Sequence, residues 1–537
     1  MAENGSALWY YVKMDDPYIT KIYCRNFRGF KDRMVEGLRP GLNVFVGDND
    51  TGKSTILLAL DLVLRASVSR VQNYGLERLI NNDAVAAFLS KKDRKFADLP
   101  VMEVDLYLSD MQKHEYEGKY YANAKEDAYG IGLVCRPRDD LQDAISDILK
   151  DENCTFPYEY YSIDFRTFAG QPLTTYMRPL EHLTIDNTKI SNDYASMAYI
   201  RDVYNANTSD TERSLHKIKY RQAKSEFSKL QFDELNKKIG SDHSFSIKNN
   251  NKANLETDLT IKHDDIEIDN LGMGMQCFIR TTFALSKKAN IDVVLLEEPE
   301  NHLSYLNMKK LISQIAEETK SQVFVATHSS YICSRLDLRR ATLFGSPDEK
   351  PLRLNDVPED TAEFFIKAPD NSLLQFIQSK KNILVEGDAE FILMAAFYKN
   401  VTNDDIEQGM VSVISVGGTS FPRYLDVAKL LGNRVAVITD NDGDPDSARL
   451  ERYKEYSSDR IKIFFDEDKE RSTFEICVYN DNVQICETLF APGRKTLTVQ
   501  QYMLDNKSEV AFRLATSEPD RLSPPRYIKD AILWAKS

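Results

Sequence analysis

The spacing of apolar residues predicts alternating strands and helices in the first part of the chain. Residues 19–30, ITKIYCRNFRGF, have the pattern of a strand that enters a turn, and residues 101–108 alternate as a half-buried strand does. A short apolar strand at 42–46 precedes a glycine-rich loop and an apolar helix. The continuous apolar runs at 291–296 and 323–326 are typical of buried parallel strands. The pattern therefore predicts an α/β domain.

The same alternation restarts after about residue 359. It runs through helix NSLLQFIQ, strand NILV, helix EFILMAAFY, strand VSVISV, helix YLDVAKLL and strand RVAVIT. A βαβαβ order of this kind indicates a second, smaller parallel sheet of Rossmann-like type. We place the boundary near residue 372, so that the expected domains are 1–372 and 373–537.

A highly charged stretch at 209–238 carries apolar residues at helical spacing. These residues are Leu215, Ile218, Phe227, Leu230 and Phe232. The stretch predicts part of a helical insertion, at about residues 160–240, within the first domain. Two interpretations stay open, a solvated helix packed on its own domain and a dimerisation arm.

The composition is typical of a globular protein. Its 537 residues exceed one ordinary core, and 42% hydrophobic with 28% charged residues is a normal balance. The first residues lack the basic and apolar regions of a secretory signal, and no apolar run approaches the ~20 residues needed to cross a bilayer. We therefore expect a cytoplasmic protein with no membrane partner.

Charge and cysteine usage limit the chemistry. The net charge of −14 does not favour nonspecific nucleic-acid binding over the whole surface, although a local basic groove remains compatible with it. The seven cysteines are scattered without a C-x-x-C pair, and the seven histidines show no ligand spacing. Any metal site must therefore be built from carboxylates.

Residues 47–54 satisfy the phosphate-loop pattern G-x-x-x-x-G-K-[ST], between an apolar strand and a helix. The backbone N–H groups of such a loop form a nest for phosphate oxygens. We expect Lys53 to reach the β- and γ-phosphates of ATP and Ser54 to bind Mg²⁺. The expected nucleotide-binding set also includes Gly47, Asn49, Gly52 and Thr55.

Two adjacent carboxylates end the apolar strand at 291–296. We expect Glu297 to hold the Mg²⁺ shell, usually through water, and Glu298 to polarise the attacking water. His328 follows the strand at 323–326, where ABC-type ATPases carry a histidine that senses the γ-phosphate. Its role is implied by that resemblance, since a lone histidine is more often structural.

These motifs, over residues 19 to about 345, resemble the SMC/RecF-like branch of ABC ATPases. The NFRGF segment near the start and the Glu-Glu pair are typical of that branch. Residues 270–276, NLGMGMQ, resemble a loose LSGGQ signature with Gly272 in place of serine. The resemblance implies that Gly274 and Gln276 contact ATP bound to an opposite protomer.

The second domain carries acidic residues at two strand ends. Glu386 and Glu390 follow strand NILV, and Asp440 and Asp442 follow strand RVAVIT. Because carboxyl ends of parallel strands meet at one edge of a sheet, these side chains are expected to converge beside the Gly-Gly loop at 417–418. Two-metal phosphodiester chemistry needs carboxylates that bridge cations about 3.5–4 Å apart.

This arrangement resembles a Toprim domain, and its position behind an ATPase resembles the OLD (overcoming-lysogenization-defect) family. Within Thr473-Phe474-Glu475, the resemblance implies that Glu475 is a further acidic ligand. It also implies that Lys507 stabilises charge on the scissile phosphate, and the tail at 525–528 looks familial. The implied cofactors are ATP and Mg²⁺ or Mn²⁺, with two metals in the Toprim site.

Three functions remain open. The first is an ATP-regulated, metal-dependent endonuclease that cuts or nicks DNA. The others are an ATP-gated DNA-binding clamp with a silent Toprim domain and a Toprim nuclease that cuts RNA such as tRNA. The OLD resemblance also implies antiphage defence, a homodimer or homotetramer, and a helicase-like partner, as in Gabija systems, or a reverse transcriptase, as in retrons.

Overall fold

The chain divides into two units in the computed structural model. The first comprises the residues up to His328 together with Thr342–Pro351, and the second comprises Ser329–Ala341 with Leu352–Ser537. The residues that the structure describes are 17–151, 154–174, 177–189, 193–239, 243–247, 255–285, 291–317, 320–345, 349–368, 372–493 and 496–537.

The first unit contains two main sheets and the helices around them. Its strands are β1 (Ile19–Phe27), β2 (Phe30–Val35), β3 (Leu42–Val46), β4 (Met102–Leu108), β5 (Glu117–Gly118), β6 (Ala128–Pro137), β7 (Tyr161–Thr167), β8 (His182–Asp186), β9 (Lys262–His263), β10 (Ile266–Glu267), β11 (Val293–Glu297) and β12 (Gln322–Thr327), with β13 (Ala341–Leu343) at the boundary between the units. Its helices are α1 (Lys53–Arg65), α2 (Val68–Tyr74), α3 (Leu76–Leu79), α4 (Asn82–Leu89), α5 (Gln142–Leu149), α6 (Asp193–Ala206), α7 (Asp210–Gln231), α8 (Asp233–Ile239), α9 (Met273–Ala284) and α10 (Tyr305–Glu317).

The apolar runs of the sequence form the parallel sheet of this unit. β3, β12, β11 and β8 lie side by side in that order, and each neighbouring pair is parallel. All five residues of β3 and all six of β12 are buried, as expected for strands covered on both faces. The antiparallel sheet has the order β2-β1-β4-β6, with β5 and β7 also paired to β6. Helix α1 contacts both sheets, so it fills the core between them.

The helical part of the expected insertion begins later than residue 160. Residues 161–167 and 182–186 are strands β7 and β8, since YSIDFRT and HLTID alternate and pair with strands of the sheets. The helices α6, α7 and α8 follow. Helix α7 begins with a capping box, in which Ser209 and Glu212 bond each other's backbone, and it buries no side chain.

The second unit contains a four-stranded parallel sheet with helices on it. The strands of this sheet are β15 (Lys381–Val385), β16 (Val411–Ser415), β17 (Arg434–Ile438) and β18 (Ile461–Phe464), and the unit also contains the short strand β14 (Leu352–Arg353) outside it. Its helices are α11 (Ser330–Arg335), α12 (Glu359–Lys367), α13 (Leu373–Gln378), α14 (Asp388–Thr402), α15 (Phe421–Leu431), α16 (Ala448–Lys454), α17 (Phe474–Asp481), α18 (Val483–Phe490), α19 (Val499–Asp505), α20 (Lys507–Ser517) and α21 (Arg526–Lys536).

Strand order β16-β15-β17-β18 places the two acidic strand ends next to each other. β15 pairs in parallel with β16 and with β17, and Leu384 lies opposite Val437. The residues after β15 and β17 therefore emerge at the same edge of the sheet. Helices α14, α20 and α21 pack together, and α21 lies against β15, β17 and β18. The α/β class and the second parallel sheet are confirmed.

No helix among the described residues combines the length and the apolar character needed to span a membrane.

Candidate nucleotide site and candidate metal centre

The phosphate loop joins β3 to α1 and depends on two glycines. A Cβ at Gly47 would lie 2.4 Å from the backbone oxygen of Phe344. Gly52 has φ +96°, and a Cβ there would lie 2.3 Å from the ring of Phe30. Neither position admits another side chain without movement, so the neighbouring elements fix the path of the loop.

The predicted nucleotide ligands sit around this loop with different exposure. Asn49 and Ser54 are exposed, Thr55 is half-buried in α1, and Lys53 is buried. The Lys53 ammonium donates hydrogen bonds to the backbone oxygens of Gly47 at 2.8 Å and of Asp48 at 2.7 Å. Burial lowers the pKa of Lys53.

Four carboxylates oppose this shift in Lys53. The acidic groups that raise its pKa are Glu298, Asp48, Glu297 and Glu300. Three of these follow or end β11, so the lysine of the loop and the acidic strand end belong to one electrostatic site.

The structure brings Glu298 and His328 into direct contact. Glu298 has φ +46°, just after β11, and its Oε1 lies 2.9 Å from Nδ1 of His328. Its Oε2 accepts a hydrogen bond of 2.7 Å from the amide of Asn301. A general base needs such an orienting partner, so the pair has the geometry expected for activating water beside a phosphate.

Ser54 and Glu297 line an open cavity of about 740 Å³, together with Asp186 and Asn187 at the end of β8. Asn187 is 1% exposed, and its Oδ1 has no hydrogen-bond partner among the described residues. A buried, unpaired amide oxygen in a cavity that a serine and a carboxylate also line supplies the type of oxygen ligand that Mg²⁺ prefers. The sequence analysis missed Asn187; the alternating run HLTID before it was the available signal.

The LSGGQ-like segment is braced by its own protomer. A Cβ at Gly274 would lie 2.2 Å from the backbone oxygen of His302, so glycine permits the approach of α9. The Gln276 amide donates to the backbone oxygen of Leu271 at 2.8 Å and accepts from Arg280 at 3.3 Å. The side chain of Gln276 is thus committed to its own loop.

A polar network connects the phosphate-loop helix with α6. Arg65 of α1 bonds both oxygens of Asp202 at 2.9 Å and also bonds Asp61. Both partners of the Arg65–Asp202 pair have side chains less than 15% exposed, at 14% and 13%. Helix α1 is therefore tied to α6 by a desolvated, two-pronged ion pair.

The same helix α6 is also bonded to α9. On α6, Ser196 accepts from Arg280 at 2.8 Å, and the Tyr199 ring lies under the Arg280 guanidinium. Helix α6 therefore links the helix of the phosphate loop to the helix of the LSGGQ-like segment.

In the second unit, Glu386 and Asp440 meet at the edge of the parallel sheet. Oε1 of Glu386 accepts hydrogen bonds from the backbone N–H of Asp440, at 3.1 Å, and from the Thr439 hydroxyl. The Gly418 N–H donates to the backbone oxygen of Glu386 at 2.7 Å, and Gly417 and Gly418 have φ of +69° and +90°. The predicted convergence beside the glycine loop is therefore present for these two acids.

The charges of two further acids, Glu390 and Glu475, act on the same site as Glu386 and Asp440. Burial, followed by the charges of Glu386, Glu390 and Glu475, raises the pKa of Asp440 to about 8. Burial, together with Glu475 and Glu386, also raises the pKa of Glu390 to about 7. We call Glu386, Glu390, Asp440 and Glu475 the carboxylate cluster.

Lys507 lies on one side of the carboxylate cluster. Its ammonium is 3.1 Å from Glu475, a carboxylate that is only 5% exposed. Burial lowers the pKa of Lys507, but the negative charges of Glu475, Asp440 and Glu390 raise it by a larger amount, so the net shift is upward. Lys507 begins helix α20, which packs on α14, the helix that carries Glu390.

Asp442 forms an ion pair with a second cation of this unit. Its carboxylate is 60% exposed and lies 2.8 Å from the guanidinium of Arg449, on α16. Arg449 also donates to the backbone oxygen of Asp440 at 2.7 Å and lies 3.8 Å from Glu386. The sequence analysis missed Arg449, because a basic residue in a short helix is usually solvated.

The donor set fits divalent cations in its chemistry. Carboxylate oxygens are the ligands that Mg²⁺ and Mn²⁺ prefer, and a cation relieves the repulsion that raises the pKa of Asp440 and Glu390. As the side chains stand, no three His, Cys, Asp or Glu groups in the described ranges enclose a single ion. Lys507 and Arg449 instead hold individual carboxylates.

These features define a class, a phosphate-loop ATPase domain joined to a Toprim domain. A family model described as "AAA domain, putative AbiEii toxin, Type IV TA system" matches residues 42–334, and one described as "Overcoming lysogenization defect protein-like, TOPRIM domain" matches residues 378–442. The first match covers more than half of the 537 residues. The chain belongs to that AAA-domain family, and its OLD-like Toprim domain gives it the ATPase–Toprim architecture of the OLD family.

Individual proteins are similar over parts of the chain. The uncharacterized protein MJECL44 of Methanocaldococcus jannaschii is 29% identical over 110 residues, and the matched region spans 20% of this chain and 29% of that protein. The Smc head domain solved with the C-terminal domain of ScpA from Pyrococcus furiosus is 15% identical, covers 65% of this chain and 99% of that one, and has a TM-score of 0.36. The C-terminal region of the Burkholderia pseudomallei OLD protein is 19% identical, covers 29% and 97%, and has a TM-score of 0.25.

Proposed function

We propose that this protein is an ATP-regulated, divalent-metal-dependent endonuclease that cuts or nicks DNA. The observation that carries the proposal is the carboxylate cluster at the edge of the second sheet, with Lys507 in contact with it. Hydrolysis of a phosphodiester needs cations that bind the scissile phosphate and a group that stabilises the developing charge. The cluster supplies ligands for the first requirement, and Lys507 supplies the second.

The carboxylates and the lysine of this site have different parts in the proposal. Glu386, Glu390, Asp440 and Glu475 would hold the cations, with Asp442 at the exposed side. The bound cations would polarise the phosphate and lower the pKa of the attacking water. Lys507, already held toward the cluster by Glu475, would balance charge on the phosphate.

Nucleotide at the phosphate loop would regulate this cleavage. Glu298, oriented by His328 and Asn301, would activate the water that attacks ATP. Lys53 and Ser54 would bind the phosphates and Mg²⁺, with Asn187 and Glu297 in the outer shell. We propose that the LSGGQ-like segment acts across a homodimer or homotetramer, and that the biological role is antiphage defence, alone or with a helicase-like or reverse-transcriptase partner.

Helix α7 offers a surface for such self-association. Its apolar side chains Leu215, Ile218, Phe227 and Leu230 are 47%, 45%, 51% and 69% exposed. Exposed apolar side chains on one helix are typical of an interface between chains. This feature supports the dimerisation-arm interpretation over a helix packed on its own domain.

The test compares plasmid cleavage by the wild-type protein with that by Glu386→Ala and Asp440→Ala, in Mn²⁺ or Mg²⁺ and with or without ATP. We expect nicked or linear product with wild type and a loss of at least about 100-fold in either variant, as for loss of a group used in the transition state. Asp459→Ala removes an exposed carboxylate of the same unit, and it should cut normally.

Three results would contradict the proposal or part of it. If wild-type protein, supplied with the products of neighbouring genes, leaves both DNA and RNA intact, the ATP-gated clamp with a silent Toprim domain takes its place. If only RNA is cut, the substrate is wrong while the metal centre stands. Normal cutting by Asp440→Ala would place the chemistry elsewhere.

A further inference from the structure

Arg449 is a second cation at the carboxylate cluster, and it is bonded to the strand end that supplies Asp440. Its guanidinium contacts three acceptors, the Asp442 carboxylate at 2.8 Å, the Asp440 backbone oxygen at 2.7 Å and the Glu386 carboxylate at 3.8 Å. The side chain is 27% exposed.

The two cations bond different carboxylates. Lys507 bonds Glu475 from α20, and Arg449 bonds Asp442 and Glu386 from α16. A divalent cation held by Glu386 and Asp442 would have to share these two carboxylates with the guanidinium of Arg449. Like charges a few ångströms apart repel strongly in a partly desolvated site, so Arg449 and such a cation compete for these carboxylates.

We infer that Arg449 changes its ion-pair partner when the metal centre is filled, and we call this its exchange role. The guanidinium neutralises Glu386 and Asp442 until divalent cations bind, and it then bonds a phosphate of the nucleic-acid backbone instead. The planar fork of arginine suits both partners, because it bonds carboxylate and phosphate oxygens in the same two-pronged geometry. This inference rests on the proposed function, whose metal site it refines.

Loss of the Arg449 charge should have opposite effects on the binding of metal and on the binding of nucleic acid. Removing the charge should strengthen binding of the metal alone, since its competitor is gone. The same change should weaken binding of DNA in the presence of a divalent cation, since a phosphate contact is lost. A residue that merely braces the loop would weaken both.

The first measurement is Mn²⁺ binding to the full-length protein without nucleic acid, by titration calorimetry or by electron paramagnetic resonance. Arg449→Gln removes the charge but retains an amide that can donate to the Asp440 backbone oxygen, so the loop is kept. We expect Arg449→Gln and Arg449→Ala to bind Mn²⁺ at least about threefold more tightly than wild type, and Arg449→Lys to resemble wild type.

The second measurement is the affinity for a DNA duplex in Ca²⁺ and in EDTA. Wild type should bind more tightly in Ca²⁺, and Arg449→Gln should lose most of that gain. The slope of log affinity against log salt concentration should also be shallower for Arg449→Gln than for wild type, by about 1, because one phosphate contact is lost. Arg452→Ala is the matched control, because Arg452 is exposed on the same helix and makes no ion pair with Glu386, Asp440 or Asp442. It should leave Mn²⁺ affinity and the Ca²⁺ gain unchanged.

The outcomes separate this inference from the proposed function. If wild type and Glu386→Ala bind Mn²⁺ equally, the metal centre itself is wrong and the inference falls with it. If wild type binds Mn²⁺ and Glu386→Ala does not, the metal centre stands. The exchange role is then overturned if a folded Arg449→Gln binds Mn²⁺ no more tightly than wild type, or if it retains the Ca²⁺ gain. Equal losses in Arg452→Ala would assign the DNA effect to general surface charge.

Discussion

At the residue scale, buried acids outside the two sites mark where this chain depends on pH. Asp105 lies in the middle of β4, is 1% exposed, and accepts one hydrogen bond of 3.2 Å, from the N–H of Ala122. Burial, with a smaller effect from the charge of Glu103, raises the pKa of Asp105 to about 7. The native protein therefore holds a proton on Asp105 that the unfolded chain releases near pH 4.

The sign of the resulting pH dependence follows from this difference. Between about pH 4 and pH 7 the native state binds one more proton than the unfolded state, so the free energy of unfolding falls as pH rises through that window. We expect Asp105→Asn to remove this loss and to be more stable than wild type at pH 8 by about 2–4 kcal/mol, with a smaller difference at pH 5. Urea denaturation of both proteins at the two pH values measures it, and a difference that does not grow with pH would contradict it.

At the element scale, helix α6 connects two motifs that are far apart in the sequence. Asp202 bonds the phosphate-loop helix through Arg65, and Ser196 bonds the helix of the LSGGQ-like segment through Arg280. The pattern of α6 in the sequence gives no sign of this role, since its polar residues are spaced as on any solvated helix. Their function depends on which helices they meet.

Removing one partner of the buried pair tests that role of α6. Asp202→Asn removes one of the two carboxylates that contact the largely buried Arg65 guanidinium and leaves only Asp61, so we expect the free energy of unfolding to fall by about 3 kcal/mol. We also expect slower ATP hydrolysis, because α1 and α9 lose their common support. Asp147→Asn breaks an exposed pair, with side chains about three-quarters exposed (76% and 74%), and should change stability by less than about 0.5 kcal/mol. Equal effects of the two variants would contradict the role of α6 in supporting α1 and α9.

At the scale of the whole molecule, the two chemistries belong to separate units. The phosphate loop, Glu298 and His328 lie in the first unit, and the carboxylate cluster with Lys507 and Arg449 lies in the second. Each unit has its own parallel sheet, and in each the acidic residues follow strand ends. Binding of nucleotide and binding of metal should therefore be separable by mutation.

Thermal unfolding in the presence of each ligand measures this separation. We expect Lys53→Ala to abolish the stabilisation by ATP while retaining that by Mn²⁺, and Glu386→Ala to do the reverse, since a ligand stabilises only the state that binds it. Lys92→Ala, a change to an exposed lysine of the first unit that does not line the nucleotide cavity, serves as the control and should retain both effects. If Lys53→Ala also lost the response to Mn²⁺, the two units would not act as independent binding sites.

The sequence by itself determined the class and the strand-end chemistry. The apolar runs of the sequence predict buried strands such as residues 42–46 and 293–297. The order of strands and helices along the chain predicts both parallel sheets. Glu386 and Asp440 could be placed together because parallel strands deliver their next residues to the same edge. Local pattern and strand direction are properties that a sequence encodes within a few residues.

Only the tertiary structure decided which side chains from distant segments share a contact. The pairing of Arg449 with Asp442 and Glu386, the support of Arg65 by Asp202, and the unpaired Asn187 oxygen beside the phosphate loop depend on packing between elements. The strands at 161–186, expected within a helical insertion, likewise became strands because partner strands were available to pair with them. Charges and amides have no periodicity that reveals their partners, whereas apolar burial does.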